Sequence, residues 1–174
     1  MFDPDHSTTN QKLAEGIAER IQTNKPLMLA ALSQEFGVTE YEAALALPDG
    51  MCRLAPADAF DTVWAELTTW ERATFIMQHL GTVLEIKGTI PAGTHGHGYF
   101  NLAEGSIGGH LKVDDLHAVG FCSLPFMGLE SHSVQFFNKE GAVKFSVYAG
   151  RENRKLIASV VESFTRLREA VCTK

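Results

Sequence analysis

Apolar residues in the first quarter of the chain recur every three or four positions. Leu13, Ile17 and Ile21 form one such series, and Leu27, Leu29, Ala30 and Leu32 continue it, the spacing of one helical face. Gly37 interrupts the pattern. Thr39 follows, with Glu42 three residues on, the arrangement of a capping box. A helix is therefore predicted from Tyr41 to Leu47, ended by Pro48-Asp49-Gly50. Residues 8–50 read as a helical N-terminal part. Phe60, Val63, Trp64 and Leu67 define one more apolar helical face, and from Ala73 to Met77 the composition drifts toward strand.

Past residue 82 the period shortens. Stretches 82–88, 97–102, 108–113, 117–124, 133–138 and 142–150 read as strands separated by turn residues, with Asn138-Lys139-Glu140-Gly141 a short hairpin turn. Connections this short join antiparallel neighbours, because a parallel crossover needs roughly a dozen residues. Helical spacing returns from about 152 to 171, where Ile157, Val160, Val161, Phe164, Leu167 and Val171 share a face. The predicted fold class is α+β: an antiparallel β-sheet core with N-terminal helices and a C-terminal amphipathic helix. One domain over 1–174 is expected, with the sheet core and last helix in 56–174.

Composition narrows the function classes. A chain of 174 residues that is 45% hydrophobic can bury a real core. Its net charge of −6 argues against nucleic acid or an anionic membrane as partner, since both are bound chiefly through Lys and Arg. No apolar run approaches the roughly 18 residues of a bilayer span, and the start, MFDPDHSTTN, lacks a basic and apolar signal pattern. Cys52, Cys122 and Cys172 are odd in number, distant in sequence and form no C-x-x-C pair. They fit reduced core thiols in a cytoplasmic protein.

Several motifs can be set aside. LSQEFGVTEYEAALAL resembles a helix-turn-helix, but its second helix carries Glu40 and Glu42 and no Lys or Arg, so a structural helix pair is expected. No G-x-S-x-G elbow, G-x-G-x-x-G or P-loop occurs. The stretch THGHGYFNLAEGSIGGHLKV, residues 94–113, is more informative, because it holds three of seven histidines and one of three tyrosines. If 95–101 is extended, His95, His97, Tyr99 and Asn101 share one face, and Phe100 and Leu102 take the other. A turn at Glu104-Gly105 then sets Tyr99 opposite His110, with Cβ atoms about 5 Å apart. Three readings fit that patch. A bare metal such as zinc would take His95, His97 and His110. Haem would take one or two axial ligands plus an apolar slot, with Phe100, Phe121, Phe126 and Met127 near in sequence and Lys87, Lys112, Lys144 and Arg151 spaced to meet propionates. The third is an exposed polar face with histidines that merely titrate.

Four stretches shift the balance: AFDTVWAELTTW (59–70), HGHGYFNL (95–102), GGHLKV (108–113) and PFMGLESHSVQFFNKEG (125–141). Together they resemble the ChuX/HutX family of cytosolic haem-utilisation carriers, related to the repeated halves of the HemS/ChuS haem-handling proteins. The resemblance covers roughly residues 35–165. It implies a HemS-like fold, a homodimer, and a cytoplasmic protein that binds haem after uptake and hands it to a downstream haem-accepting protein. It also implies His110 and Tyr99 as candidate iron ligands. A further ligand position in the family falls at Gln78, with His79 adjacent. In this reading His95 and His97 lie near the haem, Phe100, Phe126 and Met127 supply apolar walls or the core beneath, and Lys112 adds charge. The alternatives carried forward are a haem-degrading enzyme of the HemS-related type and a zinc-binding protein.

Overall fold

The computed structural model describes residues 4–23 and 25–172, with side chains from position 10 onward. Positions 1–3, part of the stretch read for a signal pattern, lie outside the described residues, as do 24 and 173–174. The N-terminal part consists of α1 (Pro4–Ile21), α2 (Leu29–Phe36) and α3 (Glu40–Leu45). The predicted capping box is formed: Thr39 Oγ1 accepts from the Glu42 amide at 3.1 Å, and Glu42 Oε2 accepts from the Thr39 amide at 2.8 Å. Gly37 ends α2 at φ 66°, in the left-handed region that glycine enters without a Cβ clash.

Eleven strands and two α-helices follow among the described residues, with a single 3-10 turn, Ala57–Ala59, leading into the first of these helices. They are β1 (Cys52–Pro56), α4 (Phe60–Leu67), β2 (Ala73–His79), β3 (Thr82–Gly88), β4 (Gly93–Gly96), β5 (Tyr99–Leu102), β6 (His110–Leu111), β7 (Leu116–Ser123), β8 (His132–Asn138), β9 (Val143–Ala149), β10 (Arg151–Glu152), β11 (Lys155–Leu156) and α5 (Ala158–Val171). Six strands form one antiparallel sheet in the order β1-β7-β8-β9-β2-β3, while β4-β5-β6 make a separate small sheet. The α+β prediction therefore stands, with local corrections. β1 carries no sequence prediction. The last helix starts at Ala158 rather than near 152, because Asn153 and Arg154 take φ 49° and 68° and turn a two-residue hairpin between β10 and β11.

The central strands β7 and β8 of the large sheet are buried on both faces. Val119, Phe121, Val134, Phe136, Phe145 and Val147 pack against Phe60, Val63 and Trp64 of α4 and Phe164 of α5. Ala118, Cys122 and Phe137 pack against Ile17, Leu29, Leu32 and Ala43 of the N-terminal helices. A strand buried on both faces reads as an apolar run rather than an alternation, which explains the density of β7 and β8. Two buried indoles find acceptors, as they must when removed from water. Trp64 Nε1 donates to Pro91 O at 2.9 Å and Trp70 Nε1 to Ser163 Oγ at 2.8 Å. The first bond ties α4 to the segment that leads into the small sheet.

Candidate functional site

The stretch 95–101 is not one extended strand. Gly96 pairs with Tyr99 across a two-residue turn in which His97 has φ 53° and Gly98 φ 80°. Two central residues with positive φ make a type I′ turn, whose twist matches a tight hairpin. His97 therefore sits at the hairpin tip, not on a face shared with Tyr99. The same turn places His95 opposite Phe100, so it leaves the face of Tyr99 and Asn101. Its ring meets Phe60 and Phe100 edge-on, and its Nε2 lies 2.7 Å from Asp61 Oδ1 at the start of α4. Phe100 points inward and is 4% exposed. Its ring covers Gly93, where no Cβ would fit.

The pairing of β5 with β6 is Asn101 with His110 and Phe100 with Leu111, two residues away from the predicted Tyr99–His110 match. A two-residue offset keeps every side chain on its face, whereas a one-residue offset would exchange the faces. Tyr99, Asn101 and His110 consequently share the outer face, and the Tyr99 and His110 ring centroids are 5.9 Å apart. Lys112 brings its ammonium to 5.8 Å from the Tyr99 ring centroid and 3.0 Å from Asp114 Oδ2. The hydrogen bond from Lys112 to the Asp114 carboxylate holds the lysine pKa above its ordinary value.

Asn101 organises this face. Its Nδ2 donates to the carbonyls of Gly96 at 3.0 Å, Thr94 at 3.2 Å and Tyr99 at 3.4 Å. An NH₂ group surrounded by carbonyls fixes which end of the amide is nitrogen. The other end, Oδ1, lies 2.6 Å from His110 Nδ1, and an amide oxygen only accepts. Nδ1 must then carry the proton, and neutral imidazole presents Nε2 as a lone pair. This is how metal-binding histidines are oriented by an outer partner. The sequence placed Asn101 on this face; it serves the backbone and the imidazole together. Asp61 was not singled out, although it stands in the quoted F-D-T-V-W motif.

The remaining candidates are spread out. Phe126 lines a different cavity, of about 770 Å³, together with Arg72, Thr74, Ile76, Lys87, Tyr148 and Arg151, and this lining contains no residue of the small sheet. Met127 is exposed beside it in sequence, at φ 49°. Gln78 and His79 pair with Val83 and Thr82 near the tip of the β2–β3 hairpin, and Gln78 lines a smaller cavity of about 210 Å³. Among the described residues no group of three His, Cys, Asp or Glu is placed to hold a bare metal ion. The three-histidine zinc set is not assembled, since His95 and His110 face opposite ways. Among the described residues no helix is long and apolar enough to cross a membrane.

Comparison with known proteins gives one family. Residues 53–167 match the family described as Haem utilisation ChuX/HutX. The chain is 34% identical over 164 residues to the intracellular heme transport protein HutX of Vibrio cholerae, covering 92% of this chain and 85% of that one. It is also similar to ChuX, described as a heme binding protein, whose structure shares 32% identity at a TM-score of 0.79 over 87% of this chain and 96% of that one. PhuS, a heme-binding protein from Pseudomonas aeruginosa, shares the fold alone. It matches at 13% identity and a TM-score of 0.71, over 93% of this chain and 45% of that chain.

Proposed function

We propose that this chain, which belongs to the ChuX/HutX haem-utilisation family, binds haem on the outer face of the small sheet and passes it to another protein inside the cell. One observation carries the choice of site: the 2.6 Å bond from His110 Nδ1 to Asn101 Oδ1, which leaves His110 Nε2 available for iron. Tyr99 stands beside His110 on the same face, so the two cannot clamp a macrocycle from opposite sides. One binds iron while the other hydrogen-bonds to it or exchanges with it. Lys112 adds a cation for a propionate at the edge of that face. The site is open, Tyr99 being 43% exposed, and openness suits a carrier that releases its cargo. The reading assigns no reaction to the chain.

Hemin titration of the wild type, His110→Ala and Tyr99→Phe tests the assignment. At least one variant is expected to bind more weakly with a changed Soret spectrum; two variants indistinguishable from wild type would refute the site. Loaded protein given an electron donor and oxygen is expected to keep its Soret band, and multiple-turnover bile-pigment formation would replace the carrier reading with the enzymatic one. The homodimer belongs to the same proposal. Edge strand β3 and its hairpin expose Leu80, Val83 and Leu84 at 92%, 51% and 53%, and an apolar, unpaired edge is a surface that proteins cover. Light scattering is expected to give twice the chain mass for the wild type and a smaller species for Leu84→Lys.

A further inference from the structure

We propose that Cys52 and Cys122 form a peroxide-sensitive dithiol that closes to a disulfide and staples β1 to β7 beneath the N-terminal helices. The two residues are 70 positions apart yet directly opposed in the β1–β7 ladder. The Ser123 amide donates to Met51 O at 2.7 Å, which makes the next pair along, Cys52 and Cys122, non-hydrogen-bonded. In such pairs the Cα atoms are about 4.5 Å apart and the side chains close, a spacing within the disulfide range. The sulfur atoms are 2.8 Å apart. Gly120, two residues inward on the same face, leaves room beside the Cys52 sulfur.

The two thiols differ in access. Cys122 is fully buried, whereas Cys52 is partly exposed, so oxidant meets Cys52 first and Cys122 resolves. The hydrogen bond with Cys52, reinforced by burial, pushes the Cys122 thiol well up, which keeps it protonated until Cys52 has reacted. Cys172 lies in the hydrophobic cluster on the opposite face of the sheet, and burial pushes its pKa up to about 11.

The chemistry balances with hydrogen peroxide as oxidant. Cys52 thiolate attacks one peroxide oxygen, the O–O bond breaks, and with one proton the departing hydroxide becomes water, leaving Cys52 as S–OH. The Cys122 sulfur attacks that sulfur and gives its proton to the departing hydroxide, so a second water leaves as the S–S bond forms. Two thiols lose two electrons and two protons, and peroxide is reduced to two waters. A small dithiol restores the two thiols by exchange, becoming a disulfide itself. Since Cys52, Leu54, Ala118 and Cys122 all contact the N-terminal helical cluster, the staple fixes the edge strand on which those helices rest. This inference does not depend on the haem reading.

The test is peroxide treatment of the full-length reduced protein, followed by alkylation and peptide mapping. The three alkylatable thiols are expected to fall to one, with Cys52 and Cys122 in a single cross-linked peptide pair that dithiothreitol releases. The oxidised protein is expected to unfold at higher urea, because a cross-link closing a long loop restricts the unfolded chain. Cys172→Ser should oxidise like wild type and Cys52→Ser should not cross-link. Cys52 is partly exposed, so its serine variant keeps the test valid even where Cys122→Ser misfolds. Three thiols still alkylatable, Cys52 driven to sulfinic acid beside a free Cys122, or a cross-link that includes Cys172 would each overturn the proposal.

Discussion

Tyr99 and Phe100 are neighbours in β5 and serve opposite faces of the small sheet. Phe100 meets Phe60 at 5.0 Å and 89° and Trp64 at 5.5 Å and 73°, edge-to-face contacts inside the core. Tyr99 faces outward, beside His110 and the Lys112 ammonium. Strands of two to four residues do not make a stable sheet on their own. The inner face therefore anchors the element through apolar burial, and the outer face is left free to carry polar groups that do little for folding. Separating the two duties by strand alternation lets one short hairpin be both fastened and functional.

The inner face offers the largest effect. Phe100→Ala is expected to cost about 3–5 kcal/mol in urea unfolding and to weaken hemin binding as well, because the outer groups lose their platform. Tyr99→Phe, by contrast, should change stability by no more than about 0.5 kcal/mol, as exposed substitutions generally do, while altering the hemin spectrum. If Phe100→Ala were as mild as Tyr99→Phe, the division between faces would fail.

Next in size is Asn101→Ala. Losing the partner that fixes the His110 tautomer should weaken hemin affinity by about 10–100-fold, the usual effect of removing an outer-shell partner. The mutation also strips the donors to Gly96, Thr94 and Tyr99, so a stability loss of about 1 kcal/mol should accompany it. Asn101→Asp keeps the acceptor for Nδ1 while losing the NH₂ group, and is expected to retain more affinity than Asn101→Ala at a similar stability cost. Equal affinity for the two variants would mean that the orientation of His110 is not what Asn101 supplies.

The contrast between faces was partly legible in sequence. Alternation placed Phe100 and Tyr99 on opposite sides, and the guessed register missed by two residues, an error that preserves parity. The side of His95 was lost for a local reason. H-G-H-G-Y-F reads as a continuing alternation, and nothing in it announces that His97, rather than a glycine or asparagine, takes the left-handed conformation. Once the chain turns there, His95 pairs with Phe100 instead of extending past it. Long-range placement was equally out of reach: neither Asp61 meeting His95 from 34 positions away nor Cys52 meeting Cys122 has a signature within its own segment. The helices, in contrast, announced themselves through Thr39, Glu42 and Gly37, because capping chemistry is local.

The histidines repeat the inner-outer contrast and provide a smaller, pH-dependent test. His132 is 8% exposed, stacked on Phe164 at 4.9 Å, with Nδ1 2.8 Å from Ser123 Oγ and Nε2 2.9 Å from Glu130 Oε1. Burial lowers its pKa below the ordinary histidine value, outweighing the opposing pull of Glu130, with Arg168 and Arg151 lowering it further. The folded state thus prefers neutral His132, and the unfolded chain binds the extra proton near pH 6.5. Its contribution to stability is fully present above about pH 6.5 and is lost as pH falls toward the lower folded pKa. Urea midpoints are expected to drop between about pH 7 and pH 5, with a shallower slope in His132→Gln.

The smallest expected effect belongs to the His95–Asp61 pair, and its smallness is informative. Both side chains are more than half exposed, at 55% and 69%, so solvent screens the contact and an exposed pair of this kind contributes about 0–0.5 kcal/mol. Asp61→Asn should therefore leave the urea midpoint nearly unchanged. Since His95 sits at the rim of the inner face, hemin affinity and spectrum should also stay at wild-type values in His95→Ala, while His110→Ala alters them. Equal loss of binding in both variants would place the macrocycle over the edge of the sheet, in reach of His95, rather than on the outer face alone.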